Sequence, residues 1–435
     1  MDATSHAAGP GALGALSAEA DGEAAAGTRS GEHRRPAVTE LRLSAFGPHR
    51  AAVLPLGPVT LLAGPSGSGK SQALDAYGAL ARLAAGAALD EVFPDPAARV
   101  PESAVPDAGG RRGFRIGSRV EGPVRPVRLD LAVQAEPSLR IAGERLSLNG
   151  DVLLATALRD PRRRSVQAAW LTGGAVGMTR APLPDDRLGT ALLPLRVAGA
   201  TAGQRLVLAA AEQVVVALRS VFPCDPRPGR MRAPVPPGEG RLRVDCGNLA
   251  DVLRRTRHEC GTRHALLARA ALTGCAGPVT GLEVRGAGPG GGVDGGSGGG
   301  SRGGSGGGGR GGGGLAGDGG TVAAVLERGA GRAATEFARL GDGELRFLAL
   351  ALVLLTGPGV LAVDPAAELL SARQALTVLA DGLDRGLDRR QCGELLRLAL
   401  LSGERGHIRL VAGVGEDAAG TARGIPGVSV VDLSP

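Results

Sequence analysis

Lysine is nearly absent from this sequence of 435 residues, whose 50 basic side chains comprise 49 arginines and the single Lys70. A GC-rich genome would explain the bias, because its codons favour arginine and a surface lysine is then exchanged with little consequence. A position that keeps lysine is a candidate for a role that needs a compact ammonium on a flexible stem, which a planar guanidinium does not imitate. Lys70 is therefore the first candidate functional residue.

Aromatic residues are also scarce, at 2% of the chain (Phe 6, Trp 1, Tyr 1), which excludes the stacking platform used by single-strand binders. The five cysteines have no close pairing, so a disulfide framework is excluded and a reducing compartment is expected. The N-terminus lacks the basic start and apolar stretch of a signal peptide. The longest apolar run, Leu345 to Val363, contains Arg346 and is broken by Gly357-Pro358-Gly359, which predicts a helix followed by a strand rather than a membrane span. We expect a cytoplasmic protein without a membrane segment.

The charge balance is basic, with a formal net charge of +7 and a pI near 10.0. This permits an acidic partner such as nucleic acid, but arginine enrichment raises the pI without any binding site, so both interpretations stay open. Two groups of arginines are candidate phosphate contacts or, alternatively, solvated turn and helix faces: Arg162, Arg163 and Arg164, and Arg254, Arg255 and Arg257.

Composition divides the chain. Residues 1–37 are rich in Ala, Gly and Glu without periodicity and are predicted to be a disordered leader. Residues 286–320 contain 23 glycines in 35 positions and are predicted to be a flexible linker or expanded loop. The remainder of residues 38–435 is expected to form a single domain assembled from both chain ends, with a mixed, partly helical insertion at 160–285.

Periodicity predicts an α/β fold with an antiparallel β lobe. The predicted strands comprise a half-buried strand from Val38, an apolar strand from Val59 to Ala63 and several strands between Phe114 and Ala157. A helix is predicted to begin at Ser71, and further helices are expected at about 204–221, 248–257 and 263–272. No heptad array is long enough to form an extended coiled coil.

A phosphate-binding loop follows the apolar strand and precedes the first helix. It fits G-x-x-x-x-G-K-[ST] at every constrained position: Gly64-Pro65-Ser66-Gly67-Ser68-Gly69-Lys70-Ser71. The glycines let successive backbone N–H groups point at phosphate oxygens, and the helix N-terminus adds a partial positive charge. Lys70 is expected to reach the β- and γ-phosphates, and the Ser71 hydroxyl to bind Mg²⁺.

A second half of the site is predicted nearly 300 residues later. A helix start, Leu340-Gly341-Asp342-Gly343-Glu344, is followed about 20 residues on by an apolar strand that ends in Asp364. A buried strand ending in aspartate is the Walker B arrangement, whose carboxylate holds the Mg²⁺ shell. The spacing therefore predicts Asp364 as a metal ligand.

These motifs resemble those of the RecF/SMC-like group of ABC-type ATPases, the AAA family ATP-binding proteins, in a stand-alone form without a coiled coil. Leu41 to Gly47 resembles the opening strand of such domains, Leu340 to Glu344 resembles their signature loop L-S-x-G-E, and Cys246 to Leu253 resembles their S-N-L-A-x-V-L segment. The resemblance implies that ATP is bound between two subunits, with Gly343 reaching the γ-phosphate held by the partner, and that DNA is a candidate partner.

The chain departs from that pattern at three positions. The family has D-E-P after the Walker B strand, whereas Asp364 is followed by Pro365 and the nearest acid, Glu368, is the candidate catalytic base. The segment 408–416 has no switch histidine, and Gly341 replaces the signature serine. Losing these groups slows phosphoryl transfer and leaves binding intact. We expect Mg·ATP binding with turnover below ~1 s⁻¹, the low end of ordinary enzymes.

Two functions remain open at this point. One is an ATPase switch that dimerises around two ATP molecules and acts on DNA. The other is an ATP-gated scaffold or regulatory subunit that hydrolyses little ATP and binds another protein.

The cysteine and histidine residues between 246 and 275 are candidate zinc ligands, but their spacings match no paired ligand module. Small buried thiols are the favoured interpretation of that cluster.

Overall fold

The first described strand buries one of its two faces. A computed structural model describes residues 35–160, 162–173, 176–287, 320–362 and 375–433. Its strand β1 (Ala37–Phe46) alternates as the sequence predicts, with Leu41 and Leu43 buried and Arg42 and Ser44 on the outer face. The alternation determines which face of the sheet that contains β1 is covered by the core.

Eight strands form an antiparallel sheet around β1. They are β1, β2 (His49–Pro55), β4 (Arg112–Glu121), β5 (Val127–Glu136), β6 (Arg140–Leu148), β7 (Asp151–Ala157), β8 (Ser165–Leu171) and β9 (Met178–Pro184). Their order is β2-β1-β4-β5-β6-β7-β8-β9. The region predicted as a mixed insertion at 160–285 thus begins with two further strands of this sheet, which sequence periodicity did not reveal.

Two helices cover the inner face of the antiparallel sheet. Helix α1 (Lys70–Ala84) buries Leu74, Tyr77 and Leu80, and α4 (Ala202–Arg219) packs beside it after a Thr201 N-cap that accepts a hydrogen bond from the Gln204 N–H. Apolar residues recurring every three or four positions form one stripe on each helix, and each stripe faces the sheet. The predicted helix at about 204–221 corresponds to α4.

A parallel sheet assembles the two ends of the chain. Its five strands are β3 (Val59–Ala63), β10 (Val221–Cys224), β14 (Leu376–Ala380), β15 (Ile408–Val414) and β16 (Val428–Asp432). The order is β10-β14-β15-β3-β16, with every pair parallel. All carboxyl ends therefore lie at one edge, where α/β proteins bind ligands. β3 lies next to β15 and β16, which are more than 300 residues away in sequence.

The remaining helices cover the parallel sheet or connect elements. They are α2 (Leu89–Val92), α3 (Gly189–Leu192), α5 (Pro228–Met231), α6 (Leu249–Glu259), α7 (Gly261–Gly274), α8 (Asp342–Thr356), α9 (Arg389–Glu404) and α10 (Glu416–Ala422). Short 3₁₀ turns occupy Ala97–Arg99, Leu193–Leu195, Phe337–Arg339 and Pro358–Val360. Across the described part of the chain, no helix has both the length and the apolar character that crossing a membrane requires.

A small antiparallel sheet flanks the glycine-rich tract. It contains β11 (Gly281–Ala287), β12 (Thr321–Glu327) and β13 (Thr335–Glu336). Ala287 at the end of β11 pairs with Thr321 at the start of β12, so the strands on either side of the tract are partners. Residues 288–319 of the predicted linker, and residues 1–34 of the predicted leader, lie outside the described residues.

Strand β3 joins two apolar cores. Val59, Leu61 and Ala63 belong to the core between the parallel sheet and helices α6–α9. Leu62 points the opposite way into the core between α1, α4 and the antiparallel sheet. Because the loop after β3 emerges between both cores, its backbone is held from two sides.

Candidate functional site

The loop after β3 depends on glycine at two positions. Gly64 has φ +147° and Gly69 has φ +95°, both in the region that L side chains rarely adopt. A Cβ at Gly64 would lie 2.6 Å from the Leu433 carbonyl oxygen, and one at Gly69 would lie 2.5 Å from the His49 Nε2 atom. The backbone therefore approaches its neighbours too closely for any other residue.

Lys70 begins helix α1 and reaches back over the loop. Its ammonium donates hydrogen bonds to the carbonyl oxygens of Gly64 at 2.6 Å and Pro65 at 2.9 Å. The side chain thus lies along the loop, and its contact with phosphates stays a prediction of the sequence motif. The Ser68 hydroxyl in the same loop is buried and has no partner within the described residues, so it can donate to a phosphate oxygen.

His49 is a neighbour of this loop that sequence reasoning missed. It is buried at the start of β2, and its Nε2 atom makes a 3.0 Å hydrogen bond with the Gly69 carbonyl oxygen. Arg99 connects the tip of the β1–β2 hairpin to α1. Its backbone carbonyl accepts the Gly47 N–H, and its guanidinium donates to the Gln72 side chain on α1. The β1–β2 hairpin therefore supports the phosphate loop.

Ser71 is paired with a carboxylate that the sequence analysis did not single out. Its hydroxyl donates to Asp381 Oδ2 at 2.8 Å. Asp381 directly follows β14, which is separated from β3 by β15 alone. The local signal, the apolar strand Leu376–Ala380 ending in aspartate, is the same signal that was applied to Asp364.

Asp364 and Glu368 lie outside the described residues. The described start of the predicted strand, residues 360–362, forms a single bridge between Leu361 and Leu242. Leu242 donates its N–H to Val360 and accepts the Ala362 N–H. In the part of the chain that the structure describes, the position next to β15 belongs to β14.

The donor set at this edge suits Mg²⁺. A hydroxyl and a carboxylate 2.8 Å apart are the hard oxygen ligands that Mg²⁺ prefers, with phosphate oxygens and waters completing the shell. The Lys70 ammonium and the Ser68 hydroxyl lie in the adjoining loop. Ser71 and Asp381 would hold the ion, and the loop would hold the phosphates.

The residue after Asp381 is Gly382, with φ +62°. Its carbonyl accepts a hydrogen bond of 3.0 Å from the buried guanidinium of Arg346 on α8, which also donates to the Pro226 carbonyl at 2.7 Å. Burial and the nearby Arg385 guanidinium lower the pKa of the Arg346 side chain. Arg346 therefore links α8 to the loop after β14.

The end of β15 has a carboxylate contact where the family pattern has a switch histidine. The Gly415 N–H, just after the strand, donates to Asp384 Oδ2 at 2.9 Å. His407 lies at the opposite end of β15, where its carbonyl accepts the Leu376 N–H. It is therefore remote from the edge that carries Ser71 and Asp381.

The signature-like segment forms the N-terminus of α8. Gly341 is the N-cap, and Glu344 accepts its N–H at 2.9 Å and the Ala276 N–H at 2.8 Å. Asp342 is exposed and forms an ion pair of 2.5 Å with Arg232, which also donates to the Leu340 carbonyl. Hence both acids of the segment are held in place.

Gly343 lies against the loop after β14. A Cβ at this position would overlap the carbonyl oxygen of Gly386. The same loop ends at Asp388, whose carboxylate accepts the Gln391 N–H at 2.7 Å at the start of α9, while Gln391 donates to the Gly274 carbonyl at 2.6 Å. The signature-like segment and the loop that carries Asp381 are thus packed together within one chain.

The cysteines between 246 and 275 are packed as thiols. Cys246 lies 3.9 Å from Cys224, Sγ to Sγ, and this contact together with burial raises the pKa of the Cys246 thiol. Burial also raises the pKa of Cys275 to about 12. His264 is hydrogen-bonded to the Leu282 carbonyl. The described residues contain no group of three or more potential metal ligands, and a protonated thiol is a poor ligand.

The arginines proposed as phosphate contacts on α6 have protein partners. Arg254 is paired with Asp251 at 2.8 Å, Arg255 with Glu259 at 2.7 Å and Arg257 with Glu283 at 3.1 Å. In the turn before β8, Arg163 lies 3.4 Å from Asp160 and Arg164 lies 3.4 Å from Asp185. Solvated, ion-paired faces therefore describe these groups better.

A different basic surface lies on the outer face of the antiparallel sheet. Cross-strand register places five arginines on that face: Arg42, Arg115, Arg119, Arg128 and Arg145. Asp130 shares it and pairs with Arg128 at 2.8 Å and Arg42 at 3.6 Å. A shallow cavity of about 610 Å³ is lined by four of the five. Glu40 and Glu121 also lie on this face, so the five arginines keep a positive excess over these three acids.

No family model matches the chain, and no curated protein matches it. Among solved structures, it is similar to an SMC head bound to the C-winged helix domain of ScpA, with 13% identity, a TM-score of 0.42 and coverage of 87% of this chain and 90% of that one. It is also similar to the SMC head domain from Thermotoga maritima (14% identity, TM-score 0.38, coverage 88% and 90%). A third match is the Smc head domain with an extended coiled coil from Pyrococcus furiosus, bound to the C-terminal domain of ScpA. It has 11% identity and a TM-score of 0.38, with coverage of 88% of this chain and 90% of that one.

Proposed function

We propose that this protein is a Mg·ATP-binding switch of the RecF/SMC-like ABC type that hydrolyses ATP slowly. The hydrogen bond of 2.8 Å between Ser71 and Asp381 carries the proposal. It joins the end of the phosphate loop to a carboxylate at the end of β14, one strand beyond β15 in the same sheet, and a phosphate-bound Mg²⁺ needs both groups. Asp364 and Glu368 remain predictions, whereas Asp381 has a placement that supports metal binding.

ATP-dependent dimerisation is the second part of the proposal. Gly341 and Asp342 are exposed at the start of α8, beside the buried Leu340 and the partly buried Gly343 and Glu344, and N–H groups at a helix start can donate to an anion. In the family that the motifs resemble, such a segment closes on the γ-phosphate held by a second subunit. ATP would then hold two copies together, and hydrolysis would release them.

Slow hydrolysis follows from what surrounds Asp381. Gly382 carries no side chain, and the β15 end presents glycine instead of histidine. Positioning of water by a general base contributes roughly 10²–10⁴ in rate, so its loss leaves binding with little turnover. The direct test measures ATP turnover and oligomeric state together. A monomer with ATP bound, or turnover well above ~1 s⁻¹, would contradict the proposal.

The basic sheet face supports duplex DNA as a partner. Arg115, Arg119 and Arg145 are exposed, and their charges lie on one surface without aromatic residues. Such a surface suits phosphate contacts that do not depend on sequence. We expect Arg145→Glu to weaken binding of duplex DNA about tenfold. We also expect the slope of the logarithm of the binding constant against the logarithm of salt concentration to become shallower by about one or more.

Arg180→Glu is the matched control for the DNA experiment. Arg180 is exposed on β9, at the far edge of the same sheet, so the variant has the same net charge change in a different place. Equal weakening by both variants would indicate a nonspecific charge effect and argue against this face as the DNA site.

A scaffold that binds another protein is the alternative function. Gly382 favours it, because this residue places no catalytic carboxylate after Asp381. Such a protein would use ATP to select a conformation or a dimer with little need for a catalytic acid. The two functions separate by the effect of duplex DNA. Stimulated turnover or a DNA-dependent dimer supports the DNA switch, whereas ATP-dependent dimerisation that ignores DNA supports the scaffold.

A further inference from the structure

Arg385 is a cation whose side chain has no partner among the described residues beside the candidate nucleotide site. It lies in the loop between β14 and α9, and its Nη2 and Nε atoms are 3.1 and 3.2 Å from the point where a Cβ of Gly382 would be. Its side chain makes no hydrogen bond or ion pair with any described residue, whereas Arg346 and Arg227 nearby both have partners. The guanidinium thus occupies the space that a side chain at position 382 would take.

This space adjoins the residues that would hold the terminal phosphates. A Cβ at Gly413, at the end of β15, would lie 3.1 Å from Asp381 Oδ1, 3.5 Å from Lys70 Cβ and 3.7 Å from the Gly382 nitrogen. The phosphate loop, the carboxylate and the Gly382 backbone therefore meet around one strand end. Asp381 and Arg385 also line one cavity of about 440 Å³.

The three carboxylates of this cavity each have a partner other than Arg385. Asp381 accepts the Ser71 hydroxyl, Asp75 is paired with Arg99 at 2.9 Å and Asp225 is paired with Arg227 at 3.1 Å. On the other side of Gly382 lies the buried Arg346 guanidinium, which donates to the Gly382 carbonyl. The two guanidiniums repel each other, and a bound anion nearby would offset that repulsion.

We propose that Arg385 contacts the terminal phosphate of the nucleotide and thereby makes the site prefer a triphosphate over a diphosphate. This inference rests on the proposed nucleotide-binding function. The loop N–H groups would contact phosphates that a diphosphate also carries, and Lys70 is expected to share its ammonium between the β- and γ-phosphates. Arg385 lies against Gly382, directly after Asp381, and its fork of N–H donors matches the oxygens of a third phosphate.

The test compares ATP and ADP binding with Mg²⁺ in Arg385→Ala and Arg385→Lys, by competition against a fluorescent ATP analogue. Loss of one charge-assisted contact corresponds to roughly tenfold or more in affinity. We expect Arg385→Ala to lose at least about tenfold for ATP and less than about twofold for ADP. Arg385→Lys should recover part of the ATP affinity, since it keeps the charge but loses the fork.

Arg405→Ala is the matched control, because Arg405 is exposed at the opposite end of α9. Equal loss for both nucleotides, or no loss in Arg385→Ala, would overturn the inference while leaving nucleotide binding intact. Wild-type protein that binds neither nucleotide would instead overturn the proposed function. Thermal melting without nucleotide identifies a variant that fails to fold, in which case the ATP-to-ADP ratio of Arg385→Lys decides.

Discussion

Ser71 and Asp381 are 310 positions apart in sequence, yet the hydroxyl of one donates to the carboxylate of the other at 2.8 Å. The contact exists because β3 from the N-terminal half and β14 from the C-terminal half enter one parallel sheet with only β15 between them. Carboxyl ends of parallel strands meet at the same edge. Folding therefore brings together the two residues of the candidate Mg²⁺ site, and neither half of the chain contains both.

Asp381→Asn tests this contact. Replacing the carboxylate by an amide removes a negative charge from the Mg²⁺ shell, so we expect the Mg²⁺ dependence of ATP binding to shift to at least about tenfold higher concentration. The measurement is ATP affinity across a magnesium titration, with binding of metal-free ATP as the reference.

Asp364→Asn is the control for that experiment. Asp364 also follows an apolar segment, and the sequence pattern predicts it as the ligand. If Asp364→Asn shifts the magnesium requirement and Asp381→Asn does not, the assignment made from the geometry of Ser71 and Asp381 is wrong.

Lys70→Arg is the second prediction. The Lys70 ammonium lies within 2.6 Å of the Gly64 carbonyl and 2.9 Å of the Pro65 carbonyl, which leaves a space suited to a point charge. A planar guanidinium is larger and directs its donors differently. We expect both ATP and ADP affinity to fall at least about tenfold, measured by fluorescent nucleotide binding. Unchanged binding would mean that the single lysine is a remnant of codon usage.

The phosphate loop could be predicted from the sequence because all its requirements are consecutive. Strand, glycines, Lys70 and Ser71 occupy one short segment, and each is visible without knowing the fold. Alternation in β1 and the strands up to β7 is equally local. These are the parts in which the predicted elements and the structure agree best.

The candidate metal carboxylate could not be chosen in the same way. More than one apolar segment of the chain ends in aspartate, and those before Asp364 and Asp381 are two of them. Which of them lies beside β15 depends on pairing between distant strands, and no local pattern encodes that pairing. The contacts of Arg346 and Arg385 with Gly382 depend on the same packing, so they too became visible only in the fold.

Gly343→Ala is the third prediction. A Cβ here would overlap the Gly386 carbonyl oxygen, so the start of α8 and the loop after β14 must move apart. Overpacking of this kind costs roughly 1–3 kcal/mol. We expect a lower melting temperature and a loss of ATP-dependent dimer in size-exclusion or light-scattering measurements.

The control for this variant is Gly341→Ser. The nearest atom to a Cβ at Gly341 is Glu344 Oε2 at 3.5 Å, an ordinary contact, and serine is a good N-cap. We expect Gly341→Ser to melt at or above the wild-type temperature and to keep the dimer. Destabilisation by this variant but not by Gly343→Ala would contradict the packing between Gly343 and Gly386.

Gly382→Glu is the fourth prediction and addresses slow turnover. It adds a carboxylate next to Asp381, at the position where the family that the motifs resemble has a water-activating glutamate. The backbone at Gly382 has φ +62°, which a glutamate adopts with a penalty of roughly 1–2 kcal/mol. The space is lined by the flexible end of Arg385, which can move aside. The protein should therefore fold and still bind ATP.

We expect steady-state turnover of Gly382→Glu to exceed that of Gly382→Gln by at least about tenfold, since a general base contributes roughly 10²–10⁴ in rate. Glutamine has the same length and the same backbone strain but does not accept a proton, so the comparison isolates the carboxylate. Arg385 is expected to pair with the new glutamate and to reduce the increase in turnover. Adding Arg385→Ala should therefore raise the turnover of Gly382→Glu further. Equal turnover of the glutamate and glutamine variants, with and without Arg385, would show that a missing acid at position 382 is not what limits hydrolysis.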